Sequence, residues 1–153
     1  MNPILLKPLG NYTSNVVIQG KPYKKMSAKT YYEKFALRQG IKIAMESFDY
    51  LKSKHDVIIL EGAGSPAEIN LQKYDIANML MAQKTNSKVL LVTDIEKGGS
   101  FASLVGTMSL LAKNHQNLVK GFVINKFRGN KALLEPGFAK LKQITSKSVF
   151  GVI

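Results

Sequence analysis

Three stretches of this 153-residue chain end an apolar run on a polar side chain and then turn. The first is Glu61-Gly62-Ala63-Gly64-Ser65-Pro66, which follows Val57-Ile58-Ile59-Leu60. A carboxylate at a strand end can hold Mg²⁺, directly or through water, beside a phosphate chain. Glycines let backbone N–H groups approach an anion closely. The plain alternative is a tight turn with an exposed acid. Glu68, farther into the loop, is either a second acid or merely solvated. The second stretch is Thr93-Asp94-Ile95-Glu96-Lys97-Gly98-Gly99-Ser100. Here an acid again ends the run, and glycines lead to Ser100, a candidate cap for a helix whose N-terminus would favour an anion. Ordinary loop-to-helix capping uses the same residues. The third is Val123-Ile124-Asn125-Lys126-Phe127-Arg128-Gly129. The Asn125 amide both donates and accepts, as reading a purine edge requires, and Lys126 and Arg128 suit phosphate or a substrate carboxylate. A polar loop whose Asn satisfies nearby backbone is the plain alternative there. Two neighbouring strands that both end in acid-plus-glycine favour a shared anionic or metal-dependent site over two unrelated turns.

Such residues converge only if the elements before them are parallel neighbours. Residues 57–60, 88–93, 119–125 and 149–153 are short continuous apolar runs, and helices are expected between them near 74–83, 101–113 and 132–144. Strands without polar alternation are buried on both faces, with helices as covers. The pattern predicts a parallel, doubly wound α/β sheet, in which ligands bind at the carboxyl ends of the strands. Upstream, residues 4–6 and 16–19 read as short extended pieces broken by Pro8, Gly10, Gly20 and Pro22. A helix is expected over 28–53, with Ser27 as N-cap and Gly40 as an interruption. Its stripe is Leu37, Ile41, Ala44, Phe48 and Leu51, at helical spacing.

Composition narrows the chemistry. The chain has no cysteine and only two histidines, which excludes thiolate zinc sites, disulfides and a cysteine nucleophile and disfavours a histidine metal site. No apolar run approaches the roughly 18–20 residues that span a bilayer. A cytoplasmic protein without membrane attachment is the expectation. The net charge of +12 admits nucleic acid or an anionic small molecule as partner. The lysines are scattered, however, and solvated faces explain them better, so no nucleic-acid partner is expected. The sequence carries no G-x-x-x-x-G-K-[ST], no G-x-S-x-G and no G-x-G-x-x-G after a strand. By residues alone the reading stops at an α/β domain with a polar, nucleotide-related site.

Four stretches carry a more specific resemblance: "MNPILLKPLG" (1–10), "LEGAGSPAEINLQKYDIANM" (60–79), "VTDIEKGGSFASLVGTMSLL" (92–111) and "VKGFVINKFRGNKALLEPGF" (119–138). In order and spacing they resemble the cobyric acid synthase family, glutamine-dependent amidases of cobalamin biosynthesis. The family's synthetase domain is similar to dethiobiotin synthetase and to cobyrinic acid a,c-diamide synthase. The resemblance implies a P-loop-type α/β fold that uses ATP and Mg²⁺ to activate corrinoid side-chain carboxylates of cobyrinic acid a,c-diamide. Ammonia released from glutamine in a separate amidotransferase domain then attacks. It implies catalytic roles for Asp94 and Glu61, with Glu61 as the Mg²⁺ carboxylate. It places Gly62, Gly64, Asn125 and Lys126 at the nucleotide. It places Ser65, Glu68, Asn70, Gly98, Gly99, Ser100 and Arg128 at the corrinoid. Where the family more often has Asp-Arg, this chain has Glu96-Lys97, and lysine lacks the guanidinium fork.

Family members begin with a strand, the P-loop and a second strand before the "NPILLKP" stretch, and end with the amidotransferase domain. The expectation is therefore a partial synthetase domain over residues 1–153. It would lack the P-loop strand and helix and be inactive as an amidase by itself. It would self-associate through exposed sheet edges. The alternative is a non-catalytic protein that binds corrinoid or nucleotide.

Overall fold

The structure, a computed structural model, describes residues 2–153. It divides into two compact units. One takes the chain as far as Gly64 and again over Asn70–Met81; the other takes Ser65–Ile69 and Ala82–Ile153.

The first unit opens with an antiparallel meander of β1 (Ile4–Gly10), β2 (Thr13–Ile18) and β3 (Lys21–Ser27). The short extended pieces expected at 4–6 and 16–19 are longer strands, and β3 was not anticipated. The turns explain the pairing. Asn11 and Tyr12 both have positive φ between the paired Gly10 and Thr13, and Gln19 and Gly20 do so between Ile18 and Lys21. Two-residue loops with both φ positive are the hairpin turns that match strand twist. β3 escaped notice because Lys21, Lys24 and Lys25 break its apolar alternation; they are exposed.

A helical rod follows. Ser27 caps it as expected, its Oγ accepting from the Thr30 N–H at 3.1 Å. The rod runs through α1 (Ala28–Thr30), a π-helical stretch Tyr31–Gly40 and α2 (Ile41–Lys52). The Ile41 N–H reaches the Ala36 carbonyl, the i→i−5 bond of a π-helix. This wider turn changes which residues face inward. Tyr31, Phe35, Ala36, Gly40 and Ala44 are buried, while the expected stripe members Leu37 and Leu51 are exposed. Gly40 does not interrupt the rod. A Cβ there would stand 2.9 Å from Ile76 Cδ1, so glycine admits Ile76 into the core. That core joins Val16, Met26, Tyr31, Phe35, Ala36 and Ile76. Burying a side chain of Phe35's size is worth about 1.5–3 kcal/mol.

Burial first, then Tyr32 and Asp75, push the Tyr31 hydroxyl up to about 12. A raised tyrosine pKa gives stability that is complete below the unfolded value of about 10. That stability falls as pH climbs from there towards the folded value. An ultraviolet titration is expected to contain a component ionising near pH 12 that Tyr31→Phe removes.

The second unit is a three-stranded parallel sheet in the order β4 (Val89–Asp94), β5 (Val119–Asn125), β6 (Ser148–Val152). The helices α4 (Ser100–Leu110), α5 (Lys113–Leu118) and α6 (Glu135–Thr145) connect the strands. The remaining helix, α3 (Met79–Lys84), spans the point at which the two units divide. This is the expected parallel α/β class, with α5 additional and α6 starting later, after a single 3₁₀ turn at Lys131–Leu134. Phe122 and Ile124 on the central strand are fully buried, as is Leu141 of α6 to within 2%.

Two expectations are corrected. Burial on both faces fails on β4, where Leu91 and Thr93 are buried while Leu90 is 48% and Val92 62% exposed; on the central β5, Val119, Gly121, Phe122 and Ile124 are all buried. Within this unit α4 and α6 pack on each other and on β4 and β6 respectively, and along β4 only alternate residues are covered. Residues 57–60 are not a strand. No strand among the described residues pairs with them, and Val57 and Ile59 are 78% and 89% exposed. An apolar run has extended propensity, but a strand exists only through a hydrogen-bonded neighbour.

Candidate functional site

β4 and β5 lie in parallel register, with Asp94 opposite Asn125. The pair of acid-plus-glycine ends, Glu61 and Asp94, is not formed by neighbouring strands, because residues 57–60 are not a strand. The register brings the second and third polar ends side by side. Each then leads into a loop whose geometry fixes its side chain. Asp94 precedes a 3₁₀ turn, Ile95–Lys97, and its Oδ1 accepts from the Glu96 N–H at 3.0 Å. Gly98 and Gly99 follow with φ of +72° and +64°, the left-handed region that favours glycine, and deliver the chain to Ser100 at the start of α4. Ser100 is buried and lies inside the helix; Gly99 holds the cap position.

On the β5 side, Lys126 has a positive φ of +64°, uncommon for a residue with a side chain. The Asn125 side chain supports this bend, its Oδ1 accepting from the Lys126 N–H at 2.9 Å. The turn aims the Lys126 ammonium back at β4, where Nζ donates to Asp94 Oδ2 at 2.7 Å. Glu96 extends the cluster, 4.0 Å from Lys126 Nζ and 3.2 Å from the Arg128 guanidinium. Acid and base thus alternate across the strand ends as Asp94, Lys126, Glu96 and Arg128. The hydrogen bond from Lys126 holds the Asp94 carboxyl below the usual carboxylate range. Desolvation, the next largest effect, opposes it, and the Glu96 N–H and the charges of Lys126 and Lys97 act with the hydrogen bond. The same hydrogen bond and charge raise Lys126. For a lowered carboxylate, the stabilisation is present above the unfolded value near 3.9. It is lost as pH falls through the lower folded one.

Chemically, this end of the sheet offers a lysine held cationic at neutral pH, an arginine with exposed donors and an amide. Asn125 spends one acceptor on local backbone, leaving its Nδ2 donors and a second lone pair for a ligand. Glu96 is the residue that sequence reasoning passed over; it organises both cations. Its signal was its position two residues after Asp94, where a 3₁₀ turn returns the side chain to the strand end.

The other candidates make local contacts of their own. Ser65 and Glu68 form a turn, with the Glu68 N–H on the Ser65 carbonyl at 3.3 Å and the Ala67 N–H on Ser65 Oγ at 3.2 Å. Glu68 and Asn70 are exposed. Glu61, Gly62 and Gly64 belong to the first unit, where the glycine-rich loop is pinned by residues that escaped the sequence reading. Asp75 Oδ1 accepts from the N–H groups of Ala77 and Asn78, at 2.8 and 3.2 Å. Asn78 Nδ2 in turn donates to the Ala63 carbonyl and to Asp75 Oδ2, both at 2.9 Å. Asp followed three residues later by Asn is a local capping spacing, and it was the available signal. Gly62 is glycine for this contact: a Cβ would overlap Asn78 Oδ1 and stand 2.8 Å from the Ala77 carbonyl oxygen. Gly62→Ala is expected to cost about 1–3 kcal/mol by urea denaturation. Gly64→Ala, with a φ of +68° but no atom within 4 Å of the new Cβ, costs about 1 kcal/mol.

Among the described residues no three acidic, histidine or cysteine side chains converge on a metal-sized point. Mg²⁺ beside a nucleotide takes one or two carboxylates and otherwise phosphate and water oxygens. Glu61 is exposed, and with residues 57–60 outside any strand it does not stand at a strand end. No helix among the described residues is long and apolar enough to cross a membrane.

A family model described as an AAA domain matches residues 15–153. A protein named "Probable cobyric acid synthase" from Thermococcus onnurineus is 53% identical over 99% of this chain. "Cobyric acid synthase" from a Thermoanaerobacter species is 51% identical over all of it. "Probable cobyric acid synthase" from Methanococcus voltae is 52% identical over 99%. The chain spans 31%, 30% and 66% of the lengths of these three relatives. No solved structure matches it.

Proposed function

The chain belongs to the AAA-domain family and is similar over nearly its whole length to proteins named cobyric acid synthase; on that premise we propose that it forms part of an ATP-dependent amide ligase acting on corrinoid side-chain carboxylates, with glutamine-derived ammonia as the nitrogen donor. The observation that carries this reading is the pairing of Asp94 and Asn125 at adjacent strand ends, with the Lys126 ammonium held 2.7 Å from Asp94.

A carboxylate is a poor acyl donor, and bound ATP would supply the phosphoryl group that gives it a leaving group. Both the entering carboxylate and the departing phosphate are anionic. The side chains suited to them are Lys126 and Arg128, one hydrogen-bonded to Asp94 and the other ion-paired with Glu96. Asp94 holds Lys126 protonated and fixes its direction. Preorganised donors at the point where negative charge develops need no rearrangement during reaction. Asn125 faces the nucleotide in this reading, Glu61 is the Mg²⁺ carboxylate, and the Ser65–Asn70 segment with the Gly98-Gly99 turn faces the corrinoid.

The test uses a graft: residues 2–153 replace the matching segment of the Thermoanaerobacter relative. Amidation of cobyrinic acid a,c-diamide is then followed with ATP and glutamine. Amidation above background is expected. A graft that folds and binds corrinoid or nucleotide but amidates nothing overturns the enzymatic reading in favour of simple binding.

A further inference from the structure

Residues 61–64 belong to no helix or strand. Backbone of that kind must find its hydrogen bonds elsewhere, and here one of them comes from Asn78. Its Nδ2 donates to the Ala63 carbonyl and to Asp75 Oδ2, each at 2.9 Å. A carbonyl and a carboxylate oxygen can only accept. Together they take up the two donors that an asparagine amide carries, and so fix which way it faces. The remaining Oδ1 lies against Gly62, where a Cβ would overlap it. Other side chains of this size do not reproduce the arrangement: aspartate lacks the donors, and serine has one.

The support under Asn78 is firm. Ile76 and Met79, on either side of it, are buried. Ile76 belongs to the core of the first unit and fits there because Gly40 has no Cβ. Asp75 follows the 3₁₀ turn Gln72–Tyr74, and its Oδ1 takes the N–H groups of Ala77 and Asn78. A loop without secondary structure is thus joined to a packed core through one amide. The amide engages a carbonyl of the loop and none of its N–H groups, which are the groups a phosphate would use. Ligand and amide can therefore hold the loop at the same time.

Resting on the reading that this loop faces the nucleotide, we propose that Asn78 is a positioning residue, whose amide keeps residues 61–64 in the conformation that binds MgATP. Without the amide the loop takes other shapes, and apparent affinity falls in proportion to the fraction left in the competent one. Once nucleotide has bound, the loop is in place, so the effect falls on KM and not on kcat.

The test is made in the grafted enzyme with Asn78→Ala and Asn78→Asp, the second keeping the shape of asparagine without its donors. Each is expected to raise KM for MgATP about tenfold, with kcat within about twofold of wild type. Hydrogen–deuterium exchange is expected to quicken in peptides covering residues 61–66 and to stay unchanged in those covering β5. An asparagine with a merely structural role would lower the folded fraction, and with it kcat, at constant KM; that result overturns the proposal. So does unchanged exchange at residues 61–66. A wild-type graft that amidates nothing removes the enzymatic reading alone, and exchange at residues 61–66 then decides whether Asn78 holds the loop.

Discussion

Asp94→Ala, placed in the grafted full-length enzyme, is expected to lower the kcat of amidation about 10²-fold, with a smaller change in KM. The reason lies in what the carboxylate holds. Its Oδ2 accepts from Lys126 at 2.7 Å and raises the lysine, while its Oδ1 takes the Glu96 N–H. Without it, the ammonium is left on a flexible stem with Glu96 4.0 Å away as its remaining acid. Binding survives, because Arg128 and the backbone stay; the loss falls on the step that needs a donor already in place. Asp94→Asn, which keeps a hydrogen-bonding oxygen but not the charge, should fall between wild type and alanine. Lys126→Ala should cost about as much as Asp94→Ala. The double variant should cost hardly more than either, since residues acting as one unit are not additive. Steady-state rates of the four proteins decide it, and losses that add would mean that the two residues act separately. The acid limb of the rate profile carries a further sign. Asp94 titrates below the ordinary carboxylate range, so it should not be the group that ends activity near pH 4–5.

The sequence disclosed this cluster because its cause is local. Short apolar runs that stop at Asp94 and Asn125, with helical patterns between them, leave few arrangements other than parallel neighbours, and parallel neighbours end together. The charges that complete the cluster were legible as residue types at a strand end, but not as a chain of contacts. Linking Lys126 to Asp94 needs the positive φ at Lys126, and nothing in the identity of a lysine announces that backbone state. Gly62 was read as a place for phosphate to approach the backbone. A Cβ at that position would meet Asn78, so the glycine also has a packing reason inside its own unit.

Other failures have physical causes that no single window of sequence contains. The expected inward stripe of the helical rod assumed 3.6 residues per turn. The π-helical stretch from Tyr31 to Gly40 advances more slowly in angle per residue, so Phe35 and Gly40 turn inward and Leu37 turns out. Residues 57–60 carry as strong a strand composition as β4, yet β4 pairs with β5 and they pair with nothing among the described residues. Propensity is the same in the two cases; the difference is a neighbour far away in sequence. The run of lysines in β3 hid a strand because its pairing with β2 follows from the tight hairpin turn at Gln19-Gly20 rather than from an apolar face.

Phe122→Ala against Phe150→Ala is the comparison that tests the architecture of the second unit. Both phenylalanines belong to the same small sheet, but Phe122 sits on its central strand with no exposed surface, whereas Phe150 is 62% exposed on the terminal strand. Truncating Phe122 removes a ring between Leu91 and Val149, its register partners on either side, and leaves a void in the middle of the sheet. The expected cost is about 3–5 kcal/mol, a large part of the total for a domain of this size. It should appear in far-UV circular dichroism as a urea midpoint lowered by about 2 M. Phe150→Ala gives up only the part of its ring that covers Gly121, and its cost should stay below about 1 kcal/mol. That measurement belongs at low protein concentration, with the isolated chain in solution. Were Phe150→Ala to cost as much as Phe122→Ala there, the second face of the sheet would be covered within a single chain. A three-stranded sheet with helices on one side only would then be the wrong description of this unit.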